Sequence, residues 1–272
     1  MFRRLVTVLG LTCALVGGWA LPAAAQPLPD SMAALGNSIT RGFNACGWYV
    51  DCPERSWSAG TDTAVNSHYL RLLDKNPGIE GNNYNLAESG ATVADLASQA
   101  ELAVQRSVDY VTVLVGANDA CADTPAQMTP VSTFRDQLDE ALETLKDGSP
   151  EAKLFIASIP DLKQLWEIGH TDPVAVSVWE TGNICQSMLA NPTSTAEEDV
   201  ERRENVRQRI ISYNQQLAQA CADYGDNCRY DDGAVFGYDF TLDQVSGWDY
   251  FHPNTAGQKA LAEVTYRAGF GW

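Results

Sequence analysis

The sequence has few basic side chains. Its 272 residues include 18 Lys and Arg against 35 Asp and Glu, and the formal net charge is −17 at pH 7. A nucleic-acid-binding protein needs clustered Lys and Arg to contact phosphates, so this charge balance argues against that class. It also disfavours an anionic membrane surface as a partner. The acidic composition therefore argues against nucleic acid and anionic membrane surfaces as partners.

Patterns typical of metal sites are also missing. The chain has only three histidines. Its cysteines form no C-x-x-C pair, and no histidine lies near them in the sequence, so a zinc cluster is a poor interpretation. The acidic residues around 226–232 lack the spacing of a calcium-binding loop and its terminal Glu. We therefore expect neither a metal nor another cofactor.

The first 25 residues have the composition of a signal peptide. Arg3 and Arg4 precede an apolar run at 5–20, and Ala23-Ala24-Ala25 supplies an A-x-A cleavage site. This pattern predicts cleavage after Ala25 and secretion to the extracellular space, without a stable membrane anchor. Residues 26–272 then form the mature protein. They contain no repeat or linker, which favours one domain.

The cysteine count agrees with export. One of the seven cysteines lies in the predicted signal peptide, and an even number of six follows it. An even number in an exported chain predicts disulfide bonds. The favoured pairing is the one in which two of the three bonds close short loops, although the sequence does not select one connectivity. The favoured pairs are Cys46–Cys52, Cys121–Cys185 and Cys221–Cys228.

Short apolar runs alternate with amphipathic stretches along the mature chain, which is typical of βαβ units and a parallel sheet. The pattern predicts strands at 32–35, 83–86, 110–115, 153–159 and 234–236. It predicts helices at 63–75, 93–107, 134–145, 196–224 and 256–268. Residues 162–195 show no clear period, and we interpret them as an insertion over one end of the sheet.

Four polar blocks occupy the positions where a parallel α/β sheet places its ligand site, beyond the carboxyl ends of the strands. Three follow predicted strands, and the fourth precedes the last helix. The blocks are Gly36-Asn37-Ser38-Ile39-Thr40, the segment 85–92 with Glu88-Ser89-Gly90, Gly116-Ala117-Asn118-Asp119, and Trp248-Asp249-Tyr250-Phe251-His252-Pro253.

Taken together and in this order, the blocks resemble those of the SGNH superfamily, also known as GDSL lipases and esterases. The resemblance spans nearly the whole mature chain. It implies a three-layer α/β/α sandwich with a central parallel sheet, the flavodoxin-like SGNH hydrolase fold. Residues 55–58 and 116–121 further resemble the phospholipase B-like branch. One departure is Asn37, which stands where the family usually has Asp before the serine.

The resemblance assigns catalytic roles that suit the chemistry of ester hydrolysis, which needs a nucleophile, a base and donors for the oxyanion. It makes Ser38 the nucleophile, His252 the base and Asp249 the residue that orients His252. The oxyanion hole would consist of the Ser38 and Gly90 N–H groups and the Asn118 amide. The implied function is a secreted carboxylic-ester hydrolase of the lipase, esterase or phospholipase type, which forms an acyl-enzyme with a small-molecule or lipid ester substrate.

Several alternatives remain open. The same scaffold supports a carbohydrate O-acetylesterase, and a non-catalytic lipid- or carbohydrate-binding module could share it. Ser38 could cap a helix instead of acting as a nucleophile. The segment 56–60 approximates a G-x-S-x-G nucleophile elbow around Ser58, but Ser56 replaces the first glycine and no strand precedes it. Finally, Trp48, Tyr49 and Trp57 could line an acyl pocket or pack around a disulfide loop.

Overall fold

A five-stranded parallel sheet forms the centre of the protein. We describe it from a computed structural model, which covers Phe2 and residues 27–272; the predicted signal peptide thus lies outside the described residues except for Phe2. The strands are β1 (Met32–Gly36), β2 (Asn83–Asn85), β3 (Tyr110–Leu114), β4 (Lys153–Ile156) and β5 (Cys228–Tyr230). Their order is β2-β1-β3-β4-β5, and all neighbours are parallel. This order places β1 and β3 side by side near the middle.

Alternate residues of each central strand enter two separate cores because successive side chains point to opposite faces of a sheet. In β1, Ala33 and Leu35 join the larger core, whereas Met32 and Ala34 join the smaller one. Every residue of β1 and β3 is buried. Burial on both faces explains why these strands have continuous apolar runs.

Ten α-helices surround the sheet in the described part of the chain. They are α1 (Ser38–Arg41), α2 (His68–Leu73), α3 (Leu96–Gln105), α4 (Ala117–Ala120), α5 (Val131–Gly148), α6 (Leu162–Gly169), α7 (Pro173–Gly182), α8 (Gln186–Leu189), α9 (Glu197–Tyr224) and α10 (Thr255–Ala268). Helices α3, α5 and α9 supply residues to the larger core, and α2 and α10 supply residues to the smaller one. The result is the predicted three-layer α/β/α sandwich.

The insertion at 162–195 contains three helices, α6 to α8, where the sequence pattern shows no period. Asp161 caps α6 by accepting from the Lys163 N–H, and Asp172 caps α7 by accepting from the Val174 and Ala175 N–H groups. Each helix has at most ten residues. Such short helices give too few turns for an apolar period, although Asp172-Pro173 is a typical helix start.

The predicted strand at 234–236 is wrong, and the edge strand is β5 at Cys228–Tyr230. Val235 is fully buried, which accounts for the apolar signal. Its N–H, however, donates to the Asp231 carboxylate, and the Phe236 N–H donates to the Ser158 hydroxyl. Side chains therefore satisfy this backbone, and it forms a turn.

The predicted helix at 63–75 is shorter, running over His68–Leu73. Ser67 caps it by accepting from the Leu70 N–H. Asn66 has a φ of 54°, in the left-handed region, which prevents a right-handed helix from continuing through it.

The six cysteines are joined as Cys46–Cys52, Cys121–Cys185 and Cys221–Cys228. This is the pairing favoured from loop length. None of the helices in the described residues is both long and apolar enough to cross a membrane.

Candidate active site

The turn after β1 places Ser38 at the start of α1. Gly36 has a φ of 131°, and a Cβ at this position would overlap the Leu114 carbonyl of β3. Only glycine therefore fits this turn. Asn37 then caps α1, with its side-chain oxygen accepting from the Ile39 N–H at 3.0 Å. Ser38 is consequently held at the carboxyl edge of the two central strands.

Asn37 performs the capping that an Asp would perform at this position. Its oxygen is the acceptor, which both side chains share. The Asn37 side-chain nitrogen is buried and has no hydrogen-bond partner among the described residues. Replacement of the family's usual Asp thus keeps the cap of α1 and leaves one buried donor unpaired.

Gln99, a residue of α3, holds the turn between β1 and Ser38 in place. Its side chain accepts from the Gly36 N–H at 2.7 Å and donates to the Gly36 carbonyl at 3.0 Å. Gln99 is itself buried. Both polar atoms of this buried amide are hydrogen-bonded, which stabilises one backbone geometry because breaking either bond would leave a buried polar group unpaired.

His252 lies between Ser38 and Asp249. Its Nε2 is 2.7 Å from Ser38 Oγ, and its Nδ1 is 2.6 Å from Asp249 Oδ2. Asp249 and His252 contact each other because both lie in one turn before α10. An ionised carboxylate only accepts hydrogen bonds, so Nδ1 carries a proton and Nε2 is free to accept from the Ser38 hydroxyl.

Asp249 is buried and accepts four hydrogen bonds. Besides His252 Nδ1, its donors are the Phe251 N–H at 3.0 Å, the His252 N–H at 3.1 Å and Asn44 Nδ2 at 2.6 Å. Burial acts to raise the pKa of Asp249, but the hydrogen bond and charge of His252, together with the two backbone N–H groups, outweigh it and hold the pKa below its usual value of 3.8. Asp249 is therefore an anion at neutral pH.

Two further candidate site residues, Gly90 and Asn118, lie in the segments that follow β2 and β3. Gly90 has a φ of 90°, and the space beside its Cα is open. Asn118 lies in α4 and donates one of its amide hydrogens to the Ala91 carbonyl at 2.8 Å. The second hydrogen of that amide stays available to a ligand. Asn118 and the Gly90 loop are thus held together.

Asp119 strengthens this connection. Its carboxylate accepts from the Val93 N–H at 3.0 Å and from the Thr129 hydroxyl at 2.9 Å. Burial raises the pKa of Asp119, while these hydrogen bonds oppose the rise. The Cys121–Cys185 disulfide also joins the end of α4 to the insertion. Asn118 therefore projects from a helix with anchors on both sides.

The structure brings Ser38, Asn118 and His252 to the wall of one pocket. Ser38 N–H and Gly90 N–H make no hydrogen bond to another group in the described chain. A free N–H donor on the nucleophile itself, as in Ser38, can stabilise a developing oxyanion. Gly90 does not line the pocket itself; it precedes Ala91, whose carbonyl accepts from Asn118 of the pocket wall.

The other candidates lie elsewhere. Ser58 is fully buried, and its Oγ shares a 2.5 Å hydrogen bond with Thr112 Oγ1. Trp57 is also fully buried, whereas Trp48 and Tyr49 are exposed on the Cys46–Cys52 loop and pack against Trp248. None of the three aromatic residues lines the pocket beside Ser38.

Three residues that position the site, Asn44, Gln99 and Asp119, were not identified from the sequence. Asn44 contacts Asp249 across 205 residues, and no local pattern reveals such a contact. Gln99 had a signal, because it is a polar residue between apolar neighbours on the buried face of α3. Asp119 directly follows Asn118 and could have been considered with it.

Solved structures with similar folds agree with this architecture. A GDSL-like protein from Parabacteroides merdae has a TM-score of 0.57 and 17% identity, covering 90% of this chain and 97% of the other. An acetyl-xylooligosaccharide esterase from Geobacillus stearothermophilus has a TM-score of 0.53 and 18% identity, with coverages of 88% and 94%. A phospholipase A1 from Streptomyces albidoflavus has a TM-score of 0.50 and 17% identity, with coverages of 88% and 99%. At these identities the likeness establishes the fold alone.

A search of curated protein sequences finds no significant match. The sequence profile of the GDSL-like Lipase/Acylhydrolase family, however, matches residues 32–265. That match includes all five strands and all four polar blocks, and it confirms the resemblance drawn from them. The chain belongs to the GDSL lipase/acylhydrolase family.

Proposed function

We propose that this protein is a secreted serine carboxylic-ester hydrolase that acts through an acyl-enzyme. The observation that carries the proposal is the continuous hydrogen-bonded chain from Ser38 through His252 to Asp249, with distances of 2.7 and 2.6 Å. A nucleophile, a base and an orienting carboxylate in this geometry form the arrangement of a serine hydrolase.

In the first half-reaction, Ser38 Oγ attacks the ester carbonyl carbon and its proton passes to His252 Nε2. The negative charge of Asp249 stabilises the resulting imidazolium. The carbonyl oxygen becomes an oxyanion, which accepts from the Ser38 N–H, the Gly90 N–H and the free hydrogen of the Asn118 amide. When this intermediate collapses, the bond to the alcohol oxygen breaks and His252 returns the proton to the leaving alcohol.

Water completes the cycle. It attacks the acyl carbon while His252 Nε2 takes its proton, and collapse of the second intermediate releases the carboxylic acid and restores the Ser38 hydroxyl. No external cofactor is needed, since each proton that His252 accepts is returned in the same half-reaction.

Secretion is the second part of the proposal. It rests on the signal-peptide pattern of residues 1–25 and on the three disulfide bonds, which persist in oxidising compartments. Expression in a secreting host should release a protein to the medium whose N-terminal sequencing begins at Gln26. Retention of the leader on a cell-bound protein would contradict this part.

Esterase activity tests the catalytic part. A panel of p-nitrophenyl esters should be hydrolysed by the native protein, and Ser38→Ala should reduce kcat by about 10⁴-fold or more because the nucleophile is lost. Ser177→Ala is the matched control, since Ser177 is an exposed serine on α7. If a folded protein hydrolyses no ester, the non-catalytic binding module becomes the better interpretation. If Ser38→Ala keeps native activity, the nucleophile is elsewhere.

A further inference from the structure

The pocket beside Ser38 has an apolar wall. Its empty space is about 590 Å³, including its open mouth. Ser38, Asn118 and His252 form one side. The apolar residues of the remaining wall include Ile39, Leu162, Leu165, Phe240, Val245 and Phe251. Leu162 and Leu165 come from α6, so the insertion at 162–195 builds part of this wall.

The polar side chains of the same wall already form hydrogen bonds within the protein. Gln164 Nε2 donates to the Phe240 carbonyl at 2.6 Å, and Gln244 Nε2 donates to the Tyr238 hydroxyl at 3.0 Å. The side-chain oxygen of Gln244 accepts from the Thr241 N–H at 3.1 Å.

Asp161, the remaining polar residue of this wall, also forms hydrogen bonds within the protein. It accepts from the Lys163 N–H at 2.9 Å and from Arg207 Nε at 2.7 Å. A ligand with several hydroxyl groups would therefore lose its hydrogen bonds to water here and find few replacements, which costs binding free energy. An aliphatic chain has no such cost.

The order of the reaction indicates which half of an ester occupies the pocket. The acyl group becomes attached to Ser38 in the first half-reaction and stays there until water releases it in the second, whereas the alcohol must leave before water enters. A recess next to Ser38 thus suits the acyl half, and the alcohol half needs the open side.

We propose that this pocket binds the acyl chain and selects aliphatic chains of several carbons over acetyl. The inference rests on the proposed ester hydrolysis and assigns its substrate class. Each methylene group transferred from water to an apolar wall should increase kcat/KM by about fourfold until the pocket is filled. Going from an acetyl to a butanoyl ester adds two such groups and should raise kcat/KM by roughly 15-fold.

The test measures kcat/KM for p-nitrophenyl acetate, butanoate, hexanoate and octanoate. Leu165→Trp fills the pocket from α6, so the increase in kcat/KM from acetate to octanoate that the native protein shows should be abolished. Val174→Trp is the matched control, because Val174 is an exposed residue of α7 outside the pocket. If Leu165→Trp does not fold, Phe240→Ala provides the second variant. Phe240 lies in a loop, and its replacement by alanine removes part of the apolar wall. The increase in kcat/KM per methylene group should therefore be smaller in this variant.

A second pair of substrates separates the two halves of the ester. Ethyl octanoate carries its long chain on the acyl side, and octyl acetate carries it on the alcohol side. Preference for ethyl octanoate supports the acyl pocket, and preference for octyl acetate overturns it.

A flat or acetate-preferring acyl series would also overturn the acyl pocket, even if Ser38→Ala abolished activity. The proposed function would survive that result. Ester hydrolysis itself is contradicted if no ester in either series is hydrolysed, so the two failures are distinguishable.

Discussion

Two histidines of this protein each connect two hydrogen-bonding side chains, yet they suit opposite tasks. His252, at the carboxyl edge of the sheet, lies between Ser38 Oγ at 2.7 Å and Asp249 Oδ2 at 2.6 Å. His68, near the amino end of β3, lies between Tyr110 Oη at 2.9 Å and Thr265 Oγ1 at 2.7 Å. One has a carboxylate partner, and the other has only hydroxyls.

The hydrogen-bond partners also fix opposite tautomers. Thr265 donates its own proton to the Leu261 carbonyl at 2.6 Å, so it must accept from His68 Nε2–H. His68 Nδ1 then accepts from the Tyr110 hydroxyl. In His252 the proton is on Nδ1, and Nε2 is the acceptor. Only the second arrangement leaves a basic nitrogen facing a nucleophile.

The two histidines also differ in their surroundings. His68 is packed among the aromatic rings of Trp57, Tyr110, Phe155 and Tyr266, and burial, with a smaller contribution from the Arg71 charge, lowers its pKa to about 3. Among the described residues, no carboxylate contacts His68 to compensate a positive charge on its ring. Hydrogen bonding alone therefore does not make a histidine a base; the stabilising carboxylate and access to substrate do.

Replacing each histidine by Gln should give the largest contrast. His252→Gln should lower kcat for a p-nitrophenyl ester by about 10⁴-fold or more, because no base remains for Ser38. His68→Gln should keep kcat within about threefold at neutral pH. His170→Gln serves as the control, since His170 stacks on Trp166 outside the site. Equal losses for His252 and His68 would contradict the distinction between them.

Asp249→Asn removes the carboxylate that distinguishes the two environments. An Asn can donate to Nδ1 and so favour the wrong tautomer, and the imidazolium loses its counter-charge. We expect kcat to fall by about 10⁴-fold with the fold preserved. Asp243→Asn, at an exposed position six residues upstream, is the control. Native activity in Asp249→Asn would remove Asp249 from the proposed triad.

Asn118→Ala tests the oxyanion side of the same site. Loss of one such donor typically lowers kcat by ~10²–10³, and we expect a change of that size with KM nearly constant. The donor acts on charge that develops only in the transition state, so binding of the substrate should hardly change. An increase confined to KM would instead make Asn118 a substrate-binding residue.

The two regions also differ in how far the sequence predicts them. The apolar runs of β1 and β3 predict the central strands because both faces are buried, and the polar blocks after them place Ser38 and Asn118 at one edge of a parallel sheet. The structure confirms this fold. The apolar character of a segment and its period are local properties of the sequence, which is why β1 to β4 and the helices α5 and α9 could be predicted.

Contacts between distant segments could not be predicted in this way. Asn44 reaches Asp249, and Thr265 reaches His68, across 205 and 197 residues, and neither pair leaves a local pattern. The helices of the insertion are too short for a period, so the pocket wall that Leu162 and Leu165 supply was also missed. The segment 234–236 shows the opposite error. Its apolar residues predict a strand, but they lie in a turn in which Val235 is buried.

The smallest expected effect concerns stability in acid and originates at His68. An ordinary histidine in the unfolded chain takes up a proton below about pH 6.5, whereas His68 in the folded protein stays neutral down to about pH 3. Between these values the unfolded state binds one more proton. The contribution of His68 to stability is therefore fully present above pH 6.5 and is lost as the pH falls, by about 1.4 kcal/mol per pH unit.

His68→Gln removes this proton uptake, so its free energy of unfolding should fall less steeply than that of the native protein between pH 6.5 and 4, although the variant is less stable at neutral pH. Urea unfolding at a series of pH values measures both curves. The buried carboxyls of Asp119 and Asp231, whose pKa values are raised by burial, are present in both proteins and largely cancel in the difference. The difference curve should slope by about 1.4 kcal/mol per pH unit and level off above pH 6.5. Parallel curves for the two proteins would mean that His68 takes up its proton in the folded state as readily as in the unfolded chain, and the contrast with His252 would then rest on hydrogen-bond partners alone.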